Sequence, residues 1–532
     1  MGFSTRASSS TNKNSTDKNC TNKSSTTNDS TAANRRDTAH RAKRRSAAGV
    51  VAALVAVGGV VAVPTLAAQP AEAATTPTVS LVWSKNFGIS GKPVALSSPM
   101  VATLDGGGSS VVIGDRAGYE RAYHLSNGSG LKGWPVSTGG VAVDSTASVR
   151  GSGSGARVYF GEGNSATPSK GGYRAIASTG KIAWSLKPKA EPGKPATAGV
   201  MSGLAIGNMQ SDNSVVGGSM GQTQLLIDAS TGAIGKGFPW FQADSNFTTP
   251  AVSTLGMSGR DLIVEGGDST AGIAFGKRYA NGGHIRILKP TGNAGTGNQG
   301  GGLRCEYNTT QVVQSSPAVG PFLTGGKWGA VAGTGKYYKG ASDSNKVIAI
   351  DSSCHPIWKA NLGGITDSSP ALADVKGTGH TWVVAAGRIS NTSSRVSALD
   401  GSNGRALWST TVPGGVYGGV TSADLTGAGY QDVIVPTVTG TYIIDGRSGK
   451  TVAKVGAGYG FQNSALVTND PDGSIGLTLA GYNGKNQGTL LHYRFTNAGA
   501  KGANVNKKGA WPMFHHDQKL TGDSQTVLTA KP

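Results

Sequence analysis

Short runs of apolar residues alternate with glycine-rich polar turns along most of this chain, and the alternation repeats. The clearest copy reads Ser368-Ser-Pro-Ala-Leu-Ala-Asp374, then Trp382-Val-Val-Ala-Ala-Gly387, then Val396-Ser-Ala-Leu-Asp400, then Ala406-Leu-Trp408. Runs of this length, rich in β-branched residues and bounded by Gly, Asp, Asn and Ser, are typical of β-strands. The pattern therefore predicts a unit of four short strands.

Eight copies of the unit can be aligned on the position of Pro370, with spacings between 44 and 67 residues. Propeller blades of four strands repeat roughly every 40 to 50 residues, so the two longest spacings predict inserted loops, at 187–195 and 291–304. We expect these two loops to shape a ligand site over the central funnel. A unit that cannot bury its own apolar face must stack against its copies. The aligned positions are Pro99, Thr146, Gly203, Pro250, Pro317, Pro370, Val420 and Ser464.

The two ends of the repeat region indicate how the ring closes. The last copy lacks a fourth strand after Thr489-Leu-Leu-His-Tyr-Arg-Phe495, whereas a strand without a blade, Val79 to Phe87, precedes the first copy. If that strand completes the last blade, no sheet edge remains open at the junction. The sequence thus predicts an all-β fold, an eight-bladed β-propeller of four-stranded blades that is closed by its N-terminal strand.

Within a blade, the third strand ends on Asp and the fourth begins near an aromatic residue. We expect the aspartates to cap turns and the aromatics to wedge between neighbouring blades. The aspartates are Asp228, Asp351, Asp400 and Asp445, and the aromatics are Trp134, Trp184, Phe238, Trp358 and Trp408.

The first 73 residues have the composition of an export leader. A polar tract precedes Arg41-Ala-Lys-Arg-Arg45 and the apolar run 47–68, and Ala71-Glu-Ala73 offers a small-residue cleavage site. We expect cleavage between Ala73 and Ala74. The part that remains, 74–532, would be a single propeller domain with a C-terminal tail at 500–532. The protein would be secreted, either free or associated with the cell wall. The alternative is a leader that is retained as a membrane anchor.

Removal of the leader changes the charge and the cysteine content. The full chain carries 49 Lys and Arg against 29 Asp and Glu, a net charge of +20, and the part after residue 73 retains a net charge of +14. This excess of positive charge would attract anionic cell-wall polymers, nucleic acid or acidic polysaccharide. The alternative is a merely solvated surface, because no basic cluster stands out after residue 73. Cys305 and Cys354 are the two cysteines that remain, and an even pair in an exported chain predicts a disulfide. By the repeat alignment, this bond joins the fourth and fifth blades.

Several segments resemble known repeats of bacterial propellers. Ala398 to Trp408 resembles the tryptophan-docking repeat of pyrroloquinoline-quinone-type propellers, and Ala423 to Val435 resembles the FG-GAP repeat of integrin-type propellers. The tail, Trp511-Pro-Met-Phe-His-His-Asp517, is similar to a closing segment of secreted bacterial propellers that mix these repeats. The resemblance implies the fold and leaves the function open.

The chemistry that these families imply is only partly present. The quinone dehydrogenases clamp their cofactor with neighbouring cysteines, but here the cysteines are 49 residues apart. The loops that begin at Asp105, Asp374 and Asp424 keep one carboxylate each and lose the later ones, which weakens a calcium site. Asp424 with Asp432 is the best remaining pair, and turn capping is the simpler role. We therefore assign no catalytic, cofactor-binding or metal-binding residue, and no cofactor.

The sequence as a whole favours a secreted, noncatalytic binding or scaffold propeller, monomeric, with its ligand over the central funnel. The partner would be an anionic cell-wall polymer, a polysaccharide or an exported protein, with no specific nucleic acid and no membrane contact except through an uncleaved leader. The alternative is an extracellular lyase or glycosidase that uses the same funnel, and a quinoprotein dehydrogenase is a weaker one. The acidic residues near the inner strands mostly fall at recurring blade positions, which favours a structural role for them; they are Asp144, Asp367, Asp374 and Asp424. For His515-His516-Asp517, docking of the tail against the ring is favoured over metal binding, because adjacent side chains on a strand point to opposite faces.

Overall fold

Each of eight four-stranded antiparallel sheets forms one blade of a β-propeller. The computed structural model describes residues 78–188, 197–241, 244–269, 282–292, 301–470, 472–496 and 509–528. In those residues only two single 3₁₀ turns interrupt the β-structure, and none of the helices is long and apolar enough to cross a bilayer. The predicted leader, 1–73, lies outside the described residues.

Blades 1 to 4 follow one another along the chain, and in each the strand order in space is the order in sequence. The strands of blade 1 are β2 (Met100–Ala102), β3 (Ser110–Gly114), β4 (Tyr119–His124) and β5 (Val136–Ser137), and those of blade 2 are β6 (Ser148–Arg150), β7 (Arg157–Glu162), β8 (Gly172–Ala177) and β9 (Ile182–Leu186). Blade 3 contains β10 (Ala205–Gly207), β11 (Ser214–Gly218), β12 (Thr223–Asp228) and β13 (Trp240–Phe241), and blade 4 contains β14 (Ala251–Ser253), β15 (Leu262–Asp268), β16 (Gly283–Leu288) and β17 (Leu303–Thr309).

Blades 5 to 7 keep this order, and blade 8 takes its outer strand from the start of the described chain. Blade 5 contains β18 (Ala318–Leu323), β19 (Lys327–Gly333), β20 (Lys346–Asp351) and β21 (Pro356–Asn361), and blade 6 contains β22 (Ala371–Ala373), β23 (Trp382–Ser390), β24 (Ser393–Asp400) and β25 (Ala406–Pro413). Blade 7 contains β26 (Thr421–Ala423), β27 (Asp432–Thr437), β28 (Gly440–Ile444) and β29 (Thr451–Val455), and blade 8 contains β30 (Leu466–Asn469), β31 (Ile475–Tyr482), β32 (Gly488–Phe495) and β1 (Val79–Asn86).

The predicted closure of the ring is confirmed. Strand β1 pairs antiparallel with β32 from Val79 opposite Phe495 to Asn86 opposite Thr489, and this pairing completes the eighth blade. Backbone groups that would form an open edge on β32 are thereby satisfied.

The repeat alignment is wrong by one residue in three copies. The inner strands β2, β6, β10 and β30 begin at Met100, Ser148, Ala205 and Leu466. The residues that correspond to Pro99 are therefore Ala147, Leu204 and Ala465, each one position after the residue that the alignment selected. These copies lack the proline that marks the position in four of the others, so their register could not be determined from the residue types alone.

Since the strands of a blade alternate in direction, its connections fall on two faces. We name the face on which every inner strand begins the upper face, and the opposite one the lower face. The chain leaves β9 on the upper face, whereas the connection from β16 to β17 lies on the lower face. The expectation that insertions 187–195 and 291–304 together shape one funnel is therefore wrong. Most of each insertion lies outside the described residues.

The wedge role predicted for the fourth-strand aromatics is confirmed at the tryptophans. The indole N–H of Trp358 donates to the carbonyl of Gly401 in the next blade (2.8 Å), and that of Trp408 donates to Gly446 (2.6 Å). Trp134 and Trp184 make the same contact across their own blade interfaces, and so does Trp83 of β1, with Leu125. Each blade interface of this kind combines a buried ring with one directed hydrogen bond.

The disulfide between Cys305 and Cys354 is present, with the two Cα atoms 5.8 Å apart. Cys305 lies on β17, the outer strand of blade 4, and Cys354 lies in the turn between β20 and β21 of blade 5. The bond therefore joins two adjacent blades, as the sequence predicted.

Candidate functional site

The central channel is occupied by the C-terminal tail of the chain. Backbone N–H groups of Ser422, Val467, Val149, Ile206, Val252 and Val319, one from each of six inner strands, donate in turn to tail carbonyls from Trp511 to Gly522. The N–H of Asp374, just after the inner strand of blade 6, donates to Gly509. The tail therefore makes one circuit inside the ring, from blade 6 through blades 7, 8, 2, 3 and 4 to blade 5.

The tail is packed as tightly as a protein core. Trp511, His515, His516 and Asp517 are all buried, and a carboxylate oxygen of Asp517 accepts from the backbone N–H of Lys519 (2.8 Å). The hydroxyl groups of Thr521 and Thr526 also donate to Asp517. His515 donates from Nδ1 to the carbonyl of Leu520 (2.7 Å), and burial lowers its pKa to about 4. Docking of the His-His-Asp segment against the ring is thus its structural role.

Above the C-terminal tail, each blade contributes one residue at the upper end of the channel. These residues, which we name the mouth ring, lie four positions before each inner strand. In six blades the residue that holds the tail comes five positions later, so the mouth ring lies on the upper side of the tail. Its members are Leu96, Asp144, Met201, Phe247, Gln314, Asp367, Tyr417 and Gln462.

The mouth ring breaks the repeat. In most blades the next two positions hold Ser or Thr, and except for Gly418 they are buried in every blade. The mouth-ring position instead carries six residue types in eight blades, and only Asp144 is buried there. A hydroxyl such as Ser369 Oγ accepts the N–H of Ser316 in the previous blade (3.1 Å), which explains why the neighbouring positions are uniform. The mouth-ring position lacks this shared contact: Asp144 and Asp367 bond arginines there, whereas Gln314 bonds an aspartate.

Two carboxylates of the mouth ring are held by arginines. Asp144 accepts two hydrogen bonds from Arg116, at 2.9 and 2.7 Å. Asp367 accepts from Arg388 at 2.7 Å, and although this cation lowers its pKa, burial outweighs the effect and raises the pKa above the ordinary value. These contacts give both aspartates a structural role, as the repeat position suggested. They also place two guanidinium groups at the mouth.

Arg388 links two members of the mouth ring. Its guanidinium carbon lies 4.1 Å from the centroid of the Tyr417 ring, within the range of a cation–π contact. The hydroxyl of Tyr417 donates to the side-chain oxygen of Asn391 (2.8 Å). Arg388 Nε is buried and makes no hydrogen bond to any described residue. This cation therefore keeps a donor that a ligand could use after a small side-chain movement.

A third carboxylate at the mouth has an altered pKa. Asp268, at the end of β15, accepts a hydrogen bond from Gln314 of the mouth ring (2.7 Å). Burial, together with the nearby charge of Asp244, raises the pKa of Asp268 to about 7. This carboxyl group is therefore partly protonated at neutral pH and can donate as well as accept a hydrogen bond.

The aspartates of the FG-GAP-like loops cap turns. Asp374 accepts backbone N–H groups of Gly377 (2.8 Å) and Gly379 (2.6 Å), and Asp424 accepts that of Gly429 (2.9 Å). Asp432 accepts the N–H of Leu425 (3.1 Å), and burial next to Asp424 raises its pKa to about 8. Among the described residues, no cluster of three or more His, Cys, Asp or Glu side chains could hold a metal ion.

Sequence reasoning missed the mouth ring. It named Asp144 and Asp367 as acidic residues near the inner strands, but the slip in the alignment hid that Asp144 is equivalent to Asp367, and so to Leu96 and Tyr417. The useful signal is variation at one position inside an otherwise uniform repeat, and it becomes visible only when the register of every copy is known.

Comparison with known proteins identifies the fold alone. No family model matches the chain, and no curated protein does. Among solved structures, it is similar to the quinohemoprotein alcohol dehydrogenase ADHIIG of Pseudomonas putida HK5 (TM-score 0.54, 14% identity, over 80% of this chain and 76% of that one). It is also similar to a europium-containing methanol dehydrogenase (0.54, 11%, 78% and 93%) and to Saccharomyces cerevisiae Sqt1 (0.55, 10%, 80% and 100%). The β-propeller architecture is therefore shared with these proteins at very low identity.

Proposed function

We propose that this protein is an exported, noncatalytic binding propeller that recognises its partner at the upper mouth of the central channel. The observation that carries the proposal is the mouth ring, where side chains that are at least partly exposed in every blade but one differ between most blades. The two positions that follow hold Ser or Thr in most blades and, except for Gly418, are buried. Loops and rims on a rigid scaffold are where recognition usually lies. Because the tail occupies the channel below, a partner would bind from the upper face only.

Export is supported by two independent features. The leader has a basic segment, an apolar run and a small-residue cleavage site, and the Cys305–Cys354 disulfide is of the kind that persists in oxidising compartments. FG-GAP-like and tryptophan-docking repeats also fit a bacterial surface propeller. We expect the mature chain to begin at Ala74 and to be monomeric.

A test of the proposal compares the chain from Ala74 onward with a variant whose mouth is altered. Binding would be measured against immobilised cell-wall polymers, extracellular polysaccharides and exported proteins. We expect Tyr417→Ala to weaken binding at least tenfold, since it removes a half-buried ring at the mouth and the cation–π support of Arg388. Ile357→Ala is the matched control, because Ile357 is exposed on the outer strand β21, away from the mouth. Equal loss in both variants, or no loss in Tyr417→Ala, would contradict a mouth site.

The second candidate is a carbohydrate-active enzyme. The observation in its favour is the pKa of Asp268, about 7, beside the second carboxylate Asp244, since glycosidases use a protonated and an ionised carboxyl group together. Mass spectrometry of each bound polymer separates the two functions. Shortened products that disappear in Asp268→Asn would establish the enzyme and exclude the binding module.

A further inference from the structure

Two adjacent tyrosines project from the upper face beside the mouth ring. They lie in the connection between β19 and β20, where Tyr337 is 63% exposed and its ring meets that of Tyr338 edge to face, with centroids 5.0 Å apart. The flanking residues, Lys336 and Lys339, are both exposed. We name residues 336–339 the tyrosine loop.

The tyrosine loop is held in place by a buried glutamine. Gln311, which is fully buried, accepts the backbone N–H groups of Tyr337 (2.8 Å) and Tyr338 (3.0 Å) through its side-chain oxygen. Its side-chain nitrogen donates to the carbonyl of Tyr338 (2.9 Å) and to the hydroxyl of Ser344 (3.0 Å). These hydrogen bonds from one buried amide hold the backbone of the loop, and so the positions from which the exposed rings project. Such preorganisation lowers the entropic cost of binding.

The loop is continuous with the mouth ring. Thr334, two residues before the loop, donates its backbone N–H to the hydroxyl of Thr366 (2.8 Å), and Thr366 directly precedes Asp367. Asp367 in turn holds Arg388, which stacks on Tyr417. Blades 5, 6 and 7 thus present one arc in which aromatic rings alternate with cationic groups.

The composition of the arc identifies its ligand class. Exposed phenol rings offer flat faces for the apolar side of a pyranose ring, and Lys336, Lys339 and Arg388 supply donors for carboxylates. A protein partner would require a larger apolar centre, whereas the large hydrophobic side chains exposed on the described part of this arc are Tyr337 and Ile389. The net charge of the chain after residue 73, +14, acts in the same direction over longer distances.

We propose that the arc formed by the tyrosine loop, Arg388 and Tyr417 is a binding site for an acidic polysaccharide. This inference rests on the proposed function and specifies its ligand. Tyr337 stacks on a sugar ring, and the lysines and Arg388 pair with the carboxylates of neighbouring sugars. Binding should therefore depend on the sugar and on its charge together.

The test uses polygalacturonate, the same polymer with its carboxylates fully methyl-esterified, and polyglutamate as a polyanion without sugar. We expect polygalacturonate to bind at least tenfold more tightly than either of the other two. Tyr337→Ala should lose at least tenfold in affinity, with Ile357→Ala as the control. Lys336→Gln with Lys339→Gln should lose about threefold and weaken the salt dependence. The charge-matched control is Lys181→Gln with Lys450→Gln, two exposed lysines on the lower face.

The outcomes distinguish this inference from the proposed function. Equal affinity for the esterified polymer, equal affinity for polyglutamate, or unchanged binding by Tyr337→Ala would overturn the acidic-polysaccharide site. If another polymer or a protein then binds in a Tyr417-dependent way, the proposed function stands alone. If no partner in the screen binds to the mouth, both are wrong. The thermal midpoint of each variant, expected to be unchanged, shows that a loss is not due to unfolding.

Discussion

At the scale of the residue, the blade interfaces are built from a tryptophan and a glycine. In each of three interfaces the tryptophan ring lies against a glycine with positive φ in the next blade, so close that an added Cβ would overlap the ring. The pairs are Trp184 with Gly232, Trp358 with Gly404 and Trp408 with Gly449. The glycine serves two purposes, because it allows the left-handed turn and leaves room for the indole.

Substitution of Gly404 by alanine should therefore cost more than left-handed backbone strain alone. A Cβ at Gly404 would lie 2.6 Å from Cε3 of Trp358, at a φ of +73°. We expect a loss of about 1 kcal/mol from the conformation and about 1 to 3 kcal/mol more from the overlap. Chemical denaturation measures the total. Gly325→Ala is the control, with the same φ of +73° and no atom near its Cβ; equal losses in both variants would show that the overlap does not matter.

This interface can be predicted from residue types because the tryptophan side chain has clear requirements for burial and hydrogen bonding. A tryptophan at a fixed place in a repeat must bury its ring and satisfy its N–H, so the wedge role could be predicted. The mouth ring could not, because its eight positions hold six residue types, and its register depends on copies in which Ala147, Leu204 and Ala465 replace proline.

At the scale of the element, the tail is the most unusual part of the fold. It supplies backbone carbonyls to inner strands whose N–H groups would otherwise face an open channel, and such orphan donors are costly when buried. Backbone pairing of this kind is nearly independent of side-chain type. For this reason the sequence indicated that Trp511 to Asp517 dock against the ring, but gave no sign of the circuit from blade 6 to blade 5.

His515 should make tail docking dependent on pH. Burial lowers its pKa in the folded protein from 6.5 to about 4, so an undocked tail binds the proton more readily. Its contribution to stability is fully present above pH 6.5 and is lost as the pH falls toward 4, by up to about 3 kcal/mol. Asp268 and Asp432, whose pKa values are raised, act in the opposite direction, so the total profile mixes both effects.

The variant His515→Asn isolates the contribution of His515 to the pH dependence of stability. Asparagine tolerates the positive φ of 57° at this position and keeps a side-chain N–H for the carbonyl of Leu520, but it does not titrate in this range. We expect the difference in unfolding free energy between the two proteins to change between pH 6.5 and 4, and to be constant at higher pH. A difference that stays constant throughout would show that His515 is not held neutral by burial.

At the scale of the whole molecule, three features stabilise the closed ring of blades. Strand β1 closes blade 8, the tail links seven blades from the inside, and the disulfide joins blades 4 and 5 at the outside. A propeller without such closure would leave two blades with an unpaired interface. The sequence predicted the first and third of these, since both depend on specific residues or on a missing strand.

Loss of the disulfide should destabilise the protein without changing its fold. The bond closes a loop between residues that are 49 positions apart, for which the chain-entropy model gives roughly 3 to 4 kcal/mol. We expect the double variant Cys305→Ser with Cys354→Ser to unfold at lower denaturant concentration, and the parent protein to match it after reduction. If the parent is unchanged by reduction, the bond does not contribute to stability under those conditions.

Deletion of β1 and deletion of the C-terminal tail should have different effects. A chain that begins at residue 88 lacks β1, so it exposes the hydrogen-bonding edge of β32 and the pocket of Trp83; exposed edges pair with other chains. A chain that ends at residue 508 keeps all eight blades complete and loses only the pairing inside the channel. We therefore expect the first deletion to give dimers or aggregates in light scattering, and the second to give a monomer with a lower thermal midpoint. A monomeric first variant as stable as the parent would show that closure by β1 is dispensable, because the tail and the remaining blade contacts would then suffice to hold the ring.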